Sequence, residues 1–246
     1  MARRRNNGGV SPSSTPLAAS KMLEAGLDCD CAFLLARWRR WLGDTIALFH
    51  RRTTTVCAME RPEQLHFTES DEANRFLASN DLAVLIGMLL DQQFPMERAF
   101  FGPQLLKDRL GEDLDAARLA GTDLAKLEEI FRGPPAIHRY PASMAKRTQD
   151  LCQMIVDDYG GDASRIWTTA ENGEELLKRI KALPGFGEGK SRIFVGLLGK
   201  RLGVQPEGWE KAAADWPSIA DVASFDDVLE LREQKRMMKQ QKKEDS

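Results

Sequence analysis

The stretch LPGFGEGK, Leu183–Lys190, stands between two segments with helical spacing, EELLKRIKA before it and SRIFVGLLGKRLG after it. Proline and glycine are the costliest residues in a helix interior, about 3 and 1 kcal/mol less favourable than alanine. The chain therefore leaves one helix and enters another through Pro184-Gly185-Phe186-Gly187, which predicts a helical hairpin with the second helix restarting near Glu188. Glycines at 185 and 187 permit backbone angles and close approaches that a Cβ blocks. Such a turn aims N–H groups outward at the positive end of the second helix, and both features favour a phosphate oxygen. Lys181, Lys190 and Arg192 can add charge to that rim, and Phe186 can plug the hairpin into the core. A tight turn without a ligand would use the same glycines.

Little else in the chain alternates with period two, so the fold class expected is all-α. The segment from Pro62 reads as a succession of helices. TESDEANRFLAS offers Thr68 as a cap ahead of an acidic first turn. NDLAVLIGMLLDQQ is apolar nearly all round, the mark of a buried helix. MERAFFGPQLLKDRLG and DLDAARLAGTDLAKLEEIFRG each close on a glycine. PASMAKRTQDLCQMIVDDYGGD puts Met144, Leu151, Ile155 and Val156 on one face. No repeat of solenoid period is present.

Three regions follow: a basic N-terminal extension over 1–61, a main domain over 62–231 and a basic tail over 232–246. The extension holds 10 Lys/Arg against 5 Asp/Glu, net +5; the main domain 19 against 29, net −10; the tail 6 against 3, net +3. A helix near 31–50 is plausible, with Trp38, Trp41 and Leu42 on one side, although the extension could equally be adventitious. An acidic main domain does not by itself point to nucleic acid, so such a role must rest on local geometry. No apolar run approaches the roughly eighteen residues of a membrane span. The N-terminus lacks the apolar core of a secretory signal, so the default expectation is the cytoplasm, near the nucleoid. Cys29, Cys31, Cys57 and Cys152 form neither a disulfide framework nor a tetrahedral metal cage, and reduced thiols without a metal are expected.

In order and spacing, LIGMLLDQQ, MAKRTQDLCQMIVDDYGGD and LPGFGEGK over residues 70–215 resemble the HhH-GPD superfamily of base-excision DNA glycosylases, which includes the endonuclease III-like enzymes. The resemblance implies a two-lobed helical domain with a helix-hairpin-helix element. It implies double-stranded DNA as partner, held through phosphates at Pro184, Gly185, Phe186, Gly187, Gly189, Lys190 and Arg192. Gln93, with Gln92 beside it, matches the residue that wedges into the duplex where a base leaves. Two amides after a buried helix suit that task, because a wedge must fill space and hydrogen-bond. A monomer is expected.

The sequence departs from the family in three ways. Enzymes of the group that also cut the strand carry a lysine two residues after the second hairpin glycine, where this chain has Gly189. Lys190 is one residue later, rotated about 100° round the helix, so a phosphate contact suits it better than nucleophilic attack. A monofunctional enzyme is implied. The family's aspartate falls some eighteen to twenty residues further on, and the count reaches Glu207, with Glu210 and Asp215 as alternatives. A carboxylate there would stabilise the oxocarbenium character that develops as an N-glycosidic bond breaks. No cysteine follows Cys152, so no iron–sulfur cluster and no other cofactor is expected. A DNA-binding protein that keeps the scaffold without the chemistry is the alternative, and a helical protein-interaction module is a more distant one.

Overall fold

The computed structural model describes residues 61–244, which form eleven α-helices and one 3₁₀ turn, with no strand among them. The fold class is all-α. The described residues lie in one compact unit. The helix expected near 31–50 and three of the four cysteines, Cys29, Cys31 and Cys57, lie outside the described residues.

Helix α1 (Asp71–Ser79) starts at Ser70, whose side chain accepts from the Ala73 N–H. Thr68, expected as the cap, is instead buried and joined to Asn74: its hydroxyl donates to Asn74 Oδ1 at 3.1 Å, and Asn74 Nδ2 donates to the Thr68 carbonyl at 2.9 Å. Asn80 then both ends α1 and caps α2 (Asp81–Leu90), receiving the Ala83 N–H at 2.8 Å. The two helices meet at 115°. Every residue of α2 from Leu82 to Leu90 is buried, at roughly 1.5–3 kcal/mol per fully buried large aliphatic side chain. Helix α3 (Met96–Leu110) packs closest on α2 through two glycines. A Cβ on Gly87 would meet Phe100 Cδ1 at 2.7 Å, and one on Gly102 would meet Leu90 Cδ1 at 2.5 Å.

The segment read as one helix over DLDAARLAGTDLAKLEEIFRG is two, α4 (Ala116–Gly121) and α5 (Leu124–Arg132). Asp123 breaks it, because its side chain takes the Lys126 N–H and starts a new helix. Helix α6 (Pro141–Tyr159) begins with proline, where a missing N–H is harmless, and ends at left-handed Gly160. Its Cys152 is fully buried, and burial pushes the thiol up to about 12. After α7 (Arg165–Thr168) come the hairpin helices α8 (Gly173–Ala182) and α9 (Glu188–Arg201). They are followed by α10 (Trp209–Ala212), a 3₁₀ turn (Ile219–Asp221) and α11 (Phe225–Glu244). The boundary expected at 231/232 falls inside α11: the basic tail continues a helix that packs Val228 and Leu231 into the core.

Candidate nucleic-acid interface

Helix α2 ends at Asp91, and the chain turns at once. Gln92 N–H bonds to the Leu90 carbonyl at 2.7 Å, and Gln93 takes the left-handed conformation, φ 55°. Gln93 is the one non-glycine residue at positive φ among the described residues, and a γ-branch-free polar side chain there still costs about 1–2 kcal/mol. Its neighbours hold it. Gln92 Nε2 donates to the Leu89 carbonyl at 2.7 Å, and Arg147 donates to Gln92 Oε1 at 2.6 Å. Buried His138 accepts the Tyr140 N–H on Nδ1 at 3.1 Å, so Nε2 carries the proton and donates to the Gln92 carbonyl at 3.2 Å. Burial lowers the His138 pKa, in keeping with that neutral ring. The result is an exposed Gln93 on a fixed stalk.

The hairpin turn lies against the same helix end. Gly185 has φ 83°, and a Cβ there would come within 2.5 Å of Leu89 Cδ1 and 3.3 Å of Gln92 Nε2. The structure thus brings together the two motifs the sequence keeps 92 positions apart at Gln93 and Gly185. Phe186 is buried, its ring 5.9 Å from Phe194. Gly187 precedes α9 without any side-chain cap, and the space where a Cβ would stand on Gly187 or Gly189 is open. The first-turn N–H groups of α9 therefore face outward unblocked, the arrangement that receives an anion. Glu188 stands at this turn as a carboxylate, but Lys181 binds it and holds its pKa below the usual range.

Lys190 and Arg192 are placed differently from the rim positions expected. Lys190 Nζ donates to the Met88 and Leu89 carbonyls at 2.8 and 3.1 Å, closing the last turn of α2. Burial lowers its pKa to about 8; Asp91 opposes that shift and Arg147 reinforces it. Arg192, two residues on and so about 200° round the helix, donates to the Lys211 and Ala213 carbonyls at 3.2 and 2.8 Å. Lys200 pairs with Asp221, and Arg201 donates to the Ala220 carbonyl at 3.0 Å, toward the far end of α9.

Glu207 shares the Arg192 side of α9. It is exposed, its carbonyl accepts the Gly173 N–H at 2.8 Å, and it borders a surface depression with Arg192 and Lys211. Glu210 and Asp215 are exposed on the same segment. None of the three lines the cavity bordered by Asp91 and Gln93.

A further acid stands at the end of α2, Asp91, in the LLDQQ motif itself. It is half-buried and lines a cavity of about 860 Å³ together with Gln93, Phe94, Arg139, Arg232 and Lys235. Burial raises its pKa; Lys235 and Lys190 pull it down, and Glu97 pushes it further up. A carboxylate at a helix C-terminus opposes the helix dipole, and that misplacement was the sequence signal that could have marked it. Arg139 donates to the Gln93 carbonyl at 3.4 Å and lies over the Tyr140 ring. Arg232 pairs with Glu97 at 2.8 Å, which ties α11 to α3 at the cavity's edge. Comparison with family models, curated proteins and solved structures returns no match.

Proposed function

We propose that the protein is a base-excision DNA glycosylase: a two-lobed helix-hairpin-helix domain that hydrolyses the N-glycosidic bond of a damaged or mismatched base, without strong strand-cleaving activity. One observation carries the reading. A non-glycine residue held at positive φ, Gln93, follows Gln92, which packs on the Gly185 turn, and lines a cavity bordered by a half-buried carboxylate, Asp91. Strain of this kind persists where surrounding structure enforces it, and it collects at functional sites.

In this reading the uncapped N–H groups after Gly187 hold a backbone phosphate, and Gln93 fills the gap left in the base stack. The flipped base enters the cavity, which Phe94 helps to line. Unstacking costs a few kcal/mol, least for a mismatched or damaged base, which provides part of the selectivity. Gly189 supplies no amine for attack on C1′, which leaves hydrolysis by water. No cofactor enters this chemistry.

A base-release assay on labelled duplexes carrying uracil, a G·T mismatch, 8-oxoguanine or alkylated adenine tests the reading, each duplex read with and without alkali. Alkali-dependent cleavage of one lesion is expected. Tight, lesion-independent binding with no release would favour the second reading, a DNA-binding protein on the same scaffold, which the exposed position of Glu207 supports. Absence of duplex binding would overturn both.

A further inference from the structure

We propose that Asp91, not Glu207, is the carboxylate that faces the reacting sugar, and that the cavity under Gln93 is where the base is released. The inference rests on the glycosylase reading and assigns its chemistry. Three features select Asp91. It lies two residues from Gln93, so the group that opens the duplex and the group that meets the exposed sugar belong to one turn of chain. It borders the cavity, whereas Glu207 borders a different depression. It shares the cavity lining with Lys235, and Lys190 fastens the carbonyls of Met88 and Leu89 just before it in the chain.

The other acid nearby, Glu97, pairs with Arg232 through Oε1 while its Oε2 is buried without a partner; it faces a separate depression with Arg98 and Phe101 and does not line this cavity. Lys190 is a positioning residue: its ammonium fastens the Met88 and Leu89 carbonyls and with them the end of α2 that presents Asp91. In the step itself, a water oxygen bonds to C1′ as the C1′–N bond breaks. The electrons of that bond leave with the base, which takes a proton from solvent, and Asp91 accepts the proton that the attacking water loses. As positive character grows on the sugar ring, the same carboxylate stabilises it at short range.

The test needs no knowledge of the lesion. Two duplexes are compared in a binding titration, one with a neutral tetrahydrofuran abasic site and one with a pyrrolidine, whose protonated ring nitrogen puts a positive charge on the sugar. A carboxylate built for the developing cation should favour the pyrrolidine by about a hundredfold, the low end for a transition-state mimic. That preference should vanish in Asp91→Asn and persist in Glu207→Gln. Asp91→Ser, which keeps a small polar group at the helix end, serves if the asparagine variant does not fold. Equal affinity of the wild type for the two duplexes, survival of the preference in both Asp91 variants, or its loss in Glu207→Gln alone would overturn the assignment while leaving DNA binding intact. Failure to hold either abasic duplex more tightly than undamaged DNA would overturn the glycosylase reading itself, and Asp91's role with it.

Discussion

The two carboxylates Asp91 and Glu207 belong to different kinds of structure. On one side, Asp91 is half-buried, next to an open cavity and a strained residue. On the other, Glu207 sits in water on a segment whose neighbours are backbone. Gly173 donates to the Glu207 carbonyl, and Arg192 donates to the Lys211 and Ala213 carbonyls. The first side holds polar groups against their preference for water; the second uses polar groups to fasten chain to chain. Chemistry at neutral pH needs the former, because only a group displaced from its solution properties gains from a substrate what the fold withholds.

The largest expected effect sharpens the mechanical half of that contrast. A Cβ on Gly173 would stand 2.6 Å from the Trp209 backbone, and one on Gly199 would meet the Trp209 ring at 2.2 Å. Backbone cannot swing aside as a side chain does. Gly173→Ala should therefore destabilise by about 3 kcal/mol, the upper part of the range for overpacking, lowering the melting temperature by roughly 6–12 °C in a chain of this size. A melt within a degree of wild type would mean that the Glu207 segment is not anchored, and the two sides would cease to differ.

The next effect has the opposite sign. Asp91 has a folded pKa above its ordinary 3.8, so over the window above 3.8 the folded state binds its proton more tightly than the unfolded chain. Its contribution to stability is therefore lost as pH rises through that window. Asp91→Asn should stabilise the protein at pH 7, with the gain shrinking as pH falls toward 3.8 in denaturant titrations. Lys190 gives the mirror case. Its folded pKa near 8 lies below the ordinary 10.5, so the unfolded chain binds more protons between those values and stability should rise with pH there. Lys190→Met should flatten that rise. A variant that gains stability while losing its preference for a charged sugar would mark Asp91 as a residue kept for function.

Gln93→Gly comes next. Glycine reaches φ 55° without strain, so the substitution should stabilise by about 1 kcal/mol while weakening capture of an abasic duplex, since the side chain that fills the gap is gone. A loss of stability would show that Gln93 is held in place for packing.

How much of this was legible in the sequence follows from the range of the forces involved. The helices, the hairpin and the buried α2 were readable because periodicity, glycine and proline act within a few residues. The break at Asp123 and the Ser70 cap were missed because several residues near each could cap, and only the packed chain decides. The meeting of Gln92 with Gly185 joins segments far apart in the chain, and no local pattern carries it. Side-chain destinations were not readable: Lys190 and Arg192 lie two residues apart on the charged start of one helix, yet each turns to carbonyls on a different neighbour. Counting from the hairpin led to Glu207, whereas Asp91 owes its setting to α9 and α11, both more than 90 residues downstream.

The smallest expected effect tests the comparison most directly. Glu207 contributes its carbonyl, not its side chain, to the fold, and an exposed side chain away from such features usually changes stability by no more than about 0.5 kcal/mol. Glu207→Gln keeps the carbonyl and the shape and removes only the charge. The melting curve should overlay that of wild type at pH 7, in contrast to the gain of Asp91→Asn. A stabilisation of similar size in both variants would place the two carboxylates in equivalent surroundings, and the reason for preferring Asp91 would be gone.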